Sequence, residues 1–400
     1  MKKKFIKFLF IIPFYISILC IVLLKKIIHI RFGEIETRAV GHYSLPVEIY
    51  LSEKDKGINQ TKHKTYDFFI QNKYVANKFL LKKWKSKFIV LPNFFIVYWN
   101  FFRRYKFGKE FLIPYRHWSD YSEKWPNVKH QHRDIHNVLP ATKTHITFND
   151  QEIKTGEKFF NSNNITGKIV IFFARDSAYH QAKKNSEDSE IRNSPIEDQT
   201  KAITSMTKKY FCLRMGSQPQ NELKINDKNF LDYSFSKYNN DFNDIYILSK
   251  ALFVVSTGSG FDDMAMMLRK PVVYVNATEQ EYRIKPLFNH YIKLFIPKKI
   301  FSLDKKRFLT FSEIFSIGCE NLQTSKDYKI RNLSLINNTM DEIKDVVDEM
   351  DQRLCGSWKD TRESVDLQTK YWEINSFKNM PEFQCKIGTK FLMNNIDLLK

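Results

Sequence analysis

The stretch KIVIFFARDSAYH, residues 168–180, sets a run of apolar residues directly before a group of polar ones. Residues 169–174 carry no charge, whereas Arg175, Asp176 and His180 fall within the next six positions. A continuous apolar run of this length is typical of a strand in a parallel sheet, which is buried on both faces. Ligands of open α/β sheets bind beyond the carboxyl ends of the strands. The stretch therefore predicts a strand that delivers polar side chains to a binding site.

The same pattern recurs through the second half of the chain. Apolar runs predict further strands at 210–215, 246–257 (its early part helical) and 270–276. Helical character lies between them, at about 195–209, 243–251 and 260–269. Short β-rich runs that alternate with helical segments predict βαβ units on a parallel sheet.

The first half is less regular. Strands are predicted at 27–32, 47–51 and 66–72, and the aromatic-rich segment 74–108 is helical in tendency, with a break at Pro92. That segment is either a core helix pair or an additional membrane-facing surface. Each half could be a doubly wound domain, with a boundary near 155–166, and residues after Trp358 are mostly helical in character.

The first 26 residues predict membrane association. Residues 8–24 are 17 uncharged, mostly apolar positions, which as a helix would be about 25 Å long, slightly short of the ~30 Å hydrocarbon core. Lysines flank the run on both sides, and no small-residue cleavage site of a signal peptide follows it. A spanning helix and a helix lying in one leaflet both remain open.

Composition limits the class of protein. The 400 residues are 43% hydrophobic and 15% aromatic, enough for a large core, and the net charge is +20. Although a basic chain suits polyanions, no helix-turn-helix or zinc spacing appears, so nucleic-acid binding is not expected. Five scattered cysteines without a CxxC pair indicate free thiols and a reducing compartment. The histidine-rich segment 130–136 is more typical of a solvated loop than of a metal site, and no metal is expected.

Polar residues follow each predicted strand of the second half. A strand-to-helix turn at 256–261 reads STGSGF, where glycines let a ligand approach the backbone and the helix end favours an anion. Arg175 and Arg214 end buried strands, and their forked donors suit a diphosphate unless an internal acid pairs them. His42 and His180 are candidate general bases, and Glu34 and Asp176 are acidic alternatives.

The chain resembles a family of bacterial glycosyltransferases that are associated with surface-polysaccharide assembly. Segments that carry the resemblance, in chain order, are RFGEIETRAVGH (31–42), FFARDSAYH (172–180), RNS (192–194), CLRMGS (212–217), LSKALFVVSTGSGFDDMAMMLRKPVVYVN (248–276) and IGTKFLMNN (387–395). Each motif is weak by itself, but the ordered set covers most of residues 27–400.

The resemblance implies a GT-B-like α/β fold: two Rossmann-like domains with a cleft between them. The hydrophobic membrane-anchor helix expected from residues 1–26 would precede these domains. The implied divisions are an anchor helix (1–26), an acceptor domain (27–160), a nucleotide-sugar-binding domain (161–345) and C-terminal helices that pack back on the first domain (346–400). The acceptor would be a membrane-associated glycan or lipid-linked molecule, on the cytoplasmic side of the cytoplasmic membrane.

The matching motifs also mark candidate cleft residues. Expected on the donor side are Arg175, Arg192, Arg214, Gly216, Ser256, Gly258, Ser259 and Gly260. Expected on the acceptor side are Arg31, Gly33, Arg38 and Gly41, and the catalytic candidates are His42, His180 and Asp176. The implied reaction moves a sugar from a nucleotide-diphosphate donor, with Arg175 or Arg214 offsetting charge on the leaving diphosphate and no metal required.

Three other functions remain open from the sequence. A nucleotide-sugar epimerase or hydrolase on the same fold would need no acceptor. A membrane-tethered, non-catalytic scaffold of a polysaccharide pathway would bind no nucleotide. A nucleic-acid binder would show affinity that falls steeply with salt.

Overall fold

The computed structural model describes most of the chain. The described residues are 2–59, 61, 63–114, 134, 136–176, 187–216, 220–278, 293–319, 322, 324–375 and 385–400, with the backbone alone at 2–10 and 187–189.

Two parallel sheets and one small antiparallel sheet form the described structure. The first sheet has the order β1-β2-β3, with both pairs parallel: β1 (Ile28–Ile35), β2 (Lys64–Gln71) and β3 (Ile89–Leu91). The second sheet has seven parallel strands in the order β13-β9-β8-β7-β4-β5-β6. Its strands are β4 (Ile169–Phe172), β5 (Phe211–Arg214), β6 (Phe230–Asp232), β7 (Ala251–Ser256), β8 (Val272–Ala277), β9 (Lys293–Pro297) and β13 (Lys386–Ile387). The antiparallel sheet joins β11 (Arg307–Phe308), β10 (Lys299–Ser302) and β12 (Leu333–Ile336).

Helices cover and connect these sheets. In the first half they are α1 (Lys2–Leu24), α2 (Val40–Tyr43), α3 (Leu45–Asp55), α4 (Lys78–Lys85), α5 (Ile96–Arg104) and α6 (Asp150–Ser162). In the second half they are α7 (Thr200–Met206), α8 (Asp241–Lys250), α9 (Gly260–Met267), α10 (Phe311–Ser316), α11 (Ser325–Ile330), α12 (Met340–Leu354), α13 (Arg362–Ile374) and α14 (Thr389–Asn394). Short 3-10 turns include Asn93–Phe95, Lys106–Phe111, Glu187–Arg192, Ile196–Gln199, Tyr233–Phe235 and Ile396–Leu399.

The predicted α/β class with parallel sheets is confirmed. Every residue of β4, β5 and β8 is buried, as expected for strands covered by helices on both faces. The predicted strand at 47–51 is wrong, because these residues lie in α3. Leu45 to Glu53 are all buried, so this helix lacks the one-sided apolar stripe that identifies a surface helix. Pro46 in its first turn is compatible with a helix start.

The expected N-terminal helix forms over Lys2–Leu24. No helix in the described part of the chain has the length and apolar character needed to cross a membrane, which corrects the expectation of an anchor in its spanning form. One face of α1 instead contributes to a core of the first domain. Ile18 is 6% exposed in a cluster with Phe32, Trp99 and Phe102, and the Ser17 and Tyr98 hydroxyls are hydrogen-bonded at 2.8 Å.

The C-terminal residues differ from the expected arrangement. They were expected to pack back on the first domain, but β13 pairs with β9 of the second sheet and the helix at 340–354 packs on α7 and on α14. The buried Glu349 carboxylate accepts a 2.7 Å hydrogen bond from the Thr389 amide. Hydrogen bonding along the open edge of β9 favours this placement, because an unpaired edge would leave backbone groups unsatisfied.

Direct contacts join the two halves. The Arg269 guanidinium donates to the Glu48 carboxylate at 2.7 Å, with side chains that are 7% and 0% exposed. At another point, the Asn77 side chain donates to the Asp241 carbonyl at 3.0 Å. Removing one partner of a buried ion pair strongly destabilises a protein, because the other charge is left buried and unpaired. The pair of Glu48 and Arg269 therefore holds α3 against the second sheet.

Candidate active site

The polar residues that follow the central strands lie along one edge of the second sheet. The strands β8, β7, β4 and β5 are neighbours in that order, and because all are parallel their carboxyl ends share an edge. The Arg175 amide donates to Thr257 Oγ1 at 2.9 Å, and the Met215 amide donates to the Phe172 carbonyl at 2.9 Å. The residues after β4 and after β7 are therefore in direct contact, and the residue after β5 is hydrogen-bonded to the last residue of β4.

Arg175 lies where a second segment folds over this edge. Arg175 is 8% exposed, and its backbone carbonyl accepts a 2.9 Å hydrogen bond from the Ser194 amide. The Gln199 side-chain amide donates to the Phe173 carbonyl at 3.0 Å. The segment 193–199 is thus held directly above the end of β4.

Arg214, at the end of β5, has an internal partner. Its guanidinium donates to Asp232 Oδ2 at 2.8 Å and to the Asn221 carbonyl at 2.6 Å. The two side chains are 4% and 5% exposed. This is the internal pairing that the sequence left open, and it neutralises most of the charge that Arg214 could offer to a diphosphate.

The turn between β7 and α9 needs glycine and hydroxyl groups. Gly258 has φ of +88°, a conformation that costs a residue with a Cβ about 1–2 kcal/mol. Ser256 Oγ accepts from the Gly258 amide at 3.3 Å, and Ser259 Oγ accepts from the Phe261 amide at 3.0 Å. These helix-end amides already have acceptors, and the buried Asp262 side chain completes the cap by accepting from the Ser259 amide.

The first domain meets this turn through a contact between two glycines. A Cβ on Gly41 would lie 2.6 Å from the Gly260 Cα and 2.6 Å from Asp263 Oδ2. Cβ atoms do not approach backbone this closely, so the contact requires glycine at position 41. Helix α2, which follows β1, and the turn after β7 therefore meet, with His42 in the helix on one side of this junction and Ser259 in the turn on the other.

The loop after β1 carries an ion pair between the buried Glu36 carboxylate and the exposed Arg38 guanidinium. The Arg38 guanidinium donates to both carboxylate oxygens of Glu36 at 2.7 Å. Burial raises the pKa of Glu36, but the hydrogen bonds from Arg38 outweigh it and hold this pKa below its ordinary value. The Arg38 side chain is 60% exposed, so it remains accessible at the mouth of the junction.

A buried polar cluster, which we call the central rim, lies at the same edge as Arg175. We define the central rim as Ser194, Asp198, Gln199, Asn276, Thr278 and Lys298. Asp198 Oδ2 accepts from the side-chain amides of Asn276 at 3.2 Å and of Asn337 at 2.9 Å. Burial raises the pKa of Asp198 above its ordinary value, although both amides oppose the rise.

Lys298 adds a buried cation to the central rim. Its ammonium donates to the Asn193 carbonyl at 2.9 Å, and the residue is 7% exposed. Burial lowers the pKa of Lys298 to about 8, while the Asp198 carboxylate opposes the change. A cation held at this cost is suited to an anion that enters the site.

Several polar atoms of this region lack hydrogen-bond partners among the described residues. They are Ser194 Oγ, Gln199 Oε1, Thr278 Oγ1 and, beside them, Asn193 Oδ1. A buried polar group without a partner costs about 1–3 kcal/mol, so a group of them on one sheet edge indicates a surface built to hydrogen-bond something else.

The remaining predicted residues divide between the cleft and the core. Asp176 Oδ2 accepts from the Gln220 amide at 2.9 Å, and Arg192 is half-buried beside the central rim. Gly216 lies at the same edge, because a Cβ there would be 3.8 Å from the Phe173 ring. His180 lies outside the described residues.

Arg31 and Gly33 are placed within β1 and not in the loop that follows it. The Arg31 guanidinium pairs with both oxygens of Asp67 on β2, at 2.6 and 2.8 Å. Gly33 packs under Ile113, whose Cδ1 would be 3.1 Å from an added Cβ.

The sequence did not single out Ser194, Gln199 or Lys298. Ser194 and Gln199 lie in a polar segment with no strand pattern, and Lys298 follows β9, a five-residue strand that was not predicted. Their common signal is spatial, because the order of strands β9, β8, β7 and β4 in the sheet brings these distant residues together.

The junction brings cations and an imidazole to neighbouring elements. Arg175 and Lys298 are cations at the edge of the second sheet, and His42 lies in α2, which packs on α9. Within the described ranges, no group of three or more histidine, cysteine or acidic side chains has the arrangement of a metal site.

Comparisons with known proteins found similar solved structures only. No protein-family model matches the chain, and no curated protein matches it. The chain is similar to the E. coli ADP-heptose LPS heptosyltransferase II at 10% identity, with 67% of this chain and 90% of that one covered and a TM-score of 0.41. It is similar to a glycosyl transferase family 9 protein from Veillonella parvula at 11% identity, with 82% and 98% covered and a TM-score of 0.45. An E. coli heptosyltransferase with ADP is 11% identical, with 62% and 87% covered and a TM-score of 0.32. Overlaps at these TM-scores carry no argument about the function of this chain.

Proposed function

We propose that the protein is a glycosyltransferase of GT-B-like architecture that transfers a sugar from a nucleotide-diphosphate donor. The observation that carries this proposal is the junction itself. The cations Arg175 and Lys298 lie at one sheet edge, beside buried polar atoms that have no hydrogen-bond partner among the described residues. Helix α2 of the first domain packs against that edge through the contact of Gly41 with Gly260.

The donor would occupy the edge of the second sheet. Arg175 and Lys298 offset the charge that builds on the leaving diphosphate, and the central rim hydrogen-bonds the sugar or the nucleoside. Arg214 contributes less than the sequence predicts, because Asp232 neutralises it. Arg175 is the preferred diphosphate ligand in this proposal, because its backbone contacts both Ser194 of the central rim and Thr257 of the turn after β7.

The acceptor would enter from the first domain. His42 is the favoured base for the acceptor hydroxyl, because it lies in α2, the helix that meets the donor edge at Gly260. The exposed Arg38 side chain is available to bind an acidic group. Asp176 and His180 stay alternatives for the base. We propose further that no metal takes part and that the acceptor is a glycan or lipid held at the cytoplasmic face of the membrane.

Thermal unfolding of the full chain with nucleotides and nucleotide sugars tests donor binding. A true donor at 100 times its Kd should stabilise the fold by about 2.7 kcal/mol. Arg175→Ala should abolish the shift, whereas the control Arg331→Ala, at an exposed residue, should keep it. A chain that unfolds at one temperature with every nucleotide would contradict the proposal and would favour the non-catalytic scaffold.

A transfer assay separates the glycosyltransferase from the other enzymes on this fold. Release of nucleotide should require a glycolipid acceptor and should persist in EDTA. Release without an acceptor would instead assign a hydrolase, and a changed sugar without release would assign an epimerase.

A further inference from the structure

Exposed apolar side chains are concentrated in two short segments of the first domain. Of the 24 large apolar side chains that are exposed in the described part, twelve lie in residues 11–27 or 94–107. Leu23 and Ile27 are 71% and 70% exposed, and Phe94 is 68% exposed. Single exposed apolar residues are ordinary, but a contiguous patch marks an interaction site.

Aromatic contacts make the two segments one surface. Phe101 contacts Tyr15 of α1 at a ring distance of 6.0 Å, and it contacts Tyr105 at 5.0 Å and Phe107 at 6.4 Å. Tyr15, Tyr105 and Phe107 are 55%, 42% and 51% exposed. We call the outer side of α1 together with residues 94–107 the α1–α5 surface.

The inner side of α1 is fixed, so the outer side cannot be buried by rotating the helix. Ile18 and Trp99 are in the same buried cluster, and Phe14 contacts the rings of Tyr98 at 5.0 Å and of Phe101 at 5.8 Å. The helix has 23 residues, which span about 35 Å, and it lies along the domain with its apolar outer side unpartnered among the described residues.

The charges of the α1–α5 surface have one sign. Residues 11–27 and 94–107 contain no Asp or Glu. They contain five cations: Lys25, Lys26, Arg103, Arg104 and Lys106. Lys25 is paired with Glu110. A second copy seated on this surface would bring two sets of cations together, whereas an anionic lipid surface complements them.

We propose that the α1–α5 surface docks the first domain on a bilayer that contains anionic lipids, with α1 lying in the interface. Aromatic side chains and a basic rim around an apolar face are what such an interface favours. The surface also sits close to the junction, because Phe32 of the underlying cluster precedes Glu36 by four residues, a distance of about 13 Å along a strand. The docking surface rests on the proposed function and deepens it, since an acceptor held in the lipid would then lie close to α2, the helix that carries His42.

Co-sedimentation of the full chain with vesicles tests the proposal. The probes are vesicles of phosphatidylcholine alone and of phosphatidylcholine mixed with phosphatidylglycerol. The wild-type chain should bind the mixed vesicles more tightly. The double variant Tyr105→Ser/Phe107→Ser should bind at least about tenfold more weakly to both. Arg104→Gln/Lys106→Gln should weaken binding to the mixed vesicles by on the order of 30-fold and leave the neutral vesicles unaffected.

Matched variants elsewhere control for surface changes in general. Ile330→Ser removes a side chain that is 70% exposed on α11, and Lys326→Gln/Lys329→Gln removes two cations nearby. Both should bind vesicles as the wild type does. Vesicle binding equal to that of the wild type by both Tyr105→Ser/Phe107→Ser and Arg104→Gln/Lys106→Gln would overturn the proposal, because α1 alone would then suffice. A dimer in light scattering that the Tyr105→Ser/Phe107→Ser variant dissociates would assign the surface to a second copy instead.

The donor-induced thermal shift is measured on the same variants. It should be unchanged in all of them, because none touches the sheet edge. Loss of vesicle binding with an intact donor shift supports the docking surface. A chain that binds vesicles but no nucleotide would instead refute the proposed function and leave the docking surface standing.

Discussion

The outer and central parts of one sheet edge differ in the partners of their buried cations. At the outer part, the Arg214 guanidinium is matched by Asp232 Oδ2 at 2.8 Å, although Asp232 Oδ1 has no partner among the described residues. At the central rim, Lys298 contacts a carbonyl oxygen, and Ser194 and Gln199 each carry a buried atom without a partner among the described residues. The first arrangement supports the fold by itself, whereas the second is costly until a ligand supplies the missing partners. Arginines at strand ends are therefore weaker markers of a binding site than unsatisfied groups beside them.

The largest expected effect tests the outer ion pair as a structural element. Arg214→Met should lower the free energy of unfolding by about 3–5 kcal/mol, because it leaves the Asp232 carboxylate buried and unpaired. The double variant Arg214→Met/Asp232→Leu should regain much of that loss. Urea unfolding of both variants measures the difference. A donor shift that survives in the double variant would confirm that Arg214 is not a donor ligand, and its disappearance would contradict the comparison.

Lys298 should show the reverse behaviour. Lys298→Met should raise the free energy of unfolding by about 2–3 kcal/mol at pH 7, because a buried ammonium is removed, and it should weaken the donor-induced shift. In the wild-type chain the folded state loses this proton near pH 8, whereas the unfolded chain keeps it to its ordinary pKa of about 10.5. The charge of Lys298 therefore lowers the free energy of unfolding below pH 8. This unfavourable contribution shrinks as the pH rises from about 8 to about 10.5.

Urea unfolding of the wild type and of Lys298→Met at pH 7 and at pH 10 checks this dependence. The difference between the two proteins should narrow at pH 10. A variant that is less stable than the wild type at pH 7 would mean that Lys298 belongs to the structural class, with Arg214.

The glycine contact tests whether the first domain shares the central part of the edge. Gly41→Ala should lower the free energy of unfolding by about 2 kcal/mol, since the new Cβ would press on backbone at Gly260. The control Gly33→Ala meets only the flexible side chain of Ile113 at 3.1 Å and should cost less than about 1 kcal/mol. Thermal unfolding of both variants measures the costs, and equal costs would deny that the junction is tight.

The sequence was sufficient for the parallel strands that surround this edge. Apolar runs ending in polar residues predicted β4, β5, β7 and β8, because strands buried on both faces carry their signal in composition. It was insufficient for α3, whose complete burial removes the helical period and whose alternation at 47–51 resembles a strand. The short strand β13 was also not predicted, since two residues carry no pattern.

The candidate site was predictable in position but not in partners. The sequence marks Arg175, Arg214 and the turn at 256–261 as strand-end residues, and the structure brings them to one edge. Strand order decides that Arg214 pairs with the Asp232 carboxylate, whereas Lys298 donates to the Asn193 carbonyl. Strand order is a long-range property that local patterns do not encode.

The smallest expected effect on stability separates the two parts of the edge most sharply. Ser194→Ala removes a buried hydroxyl whose oxygen has no partner in the described structure. The free energy of unfolding should therefore change by less than about 0.5 kcal/mol, or rise. The donor-induced thermal shift should nevertheless fall, because the ligand would lose a hydrogen bond at that position. Ser205→Ala, whose hydroxyl already donates to Asp348 at 3.1 Å, is the matched control and should show the opposite pair of results. An unchanged shift in Ser194→Ala would remove Ser194 from the donor site and leave its buried hydroxyl a defect of packing.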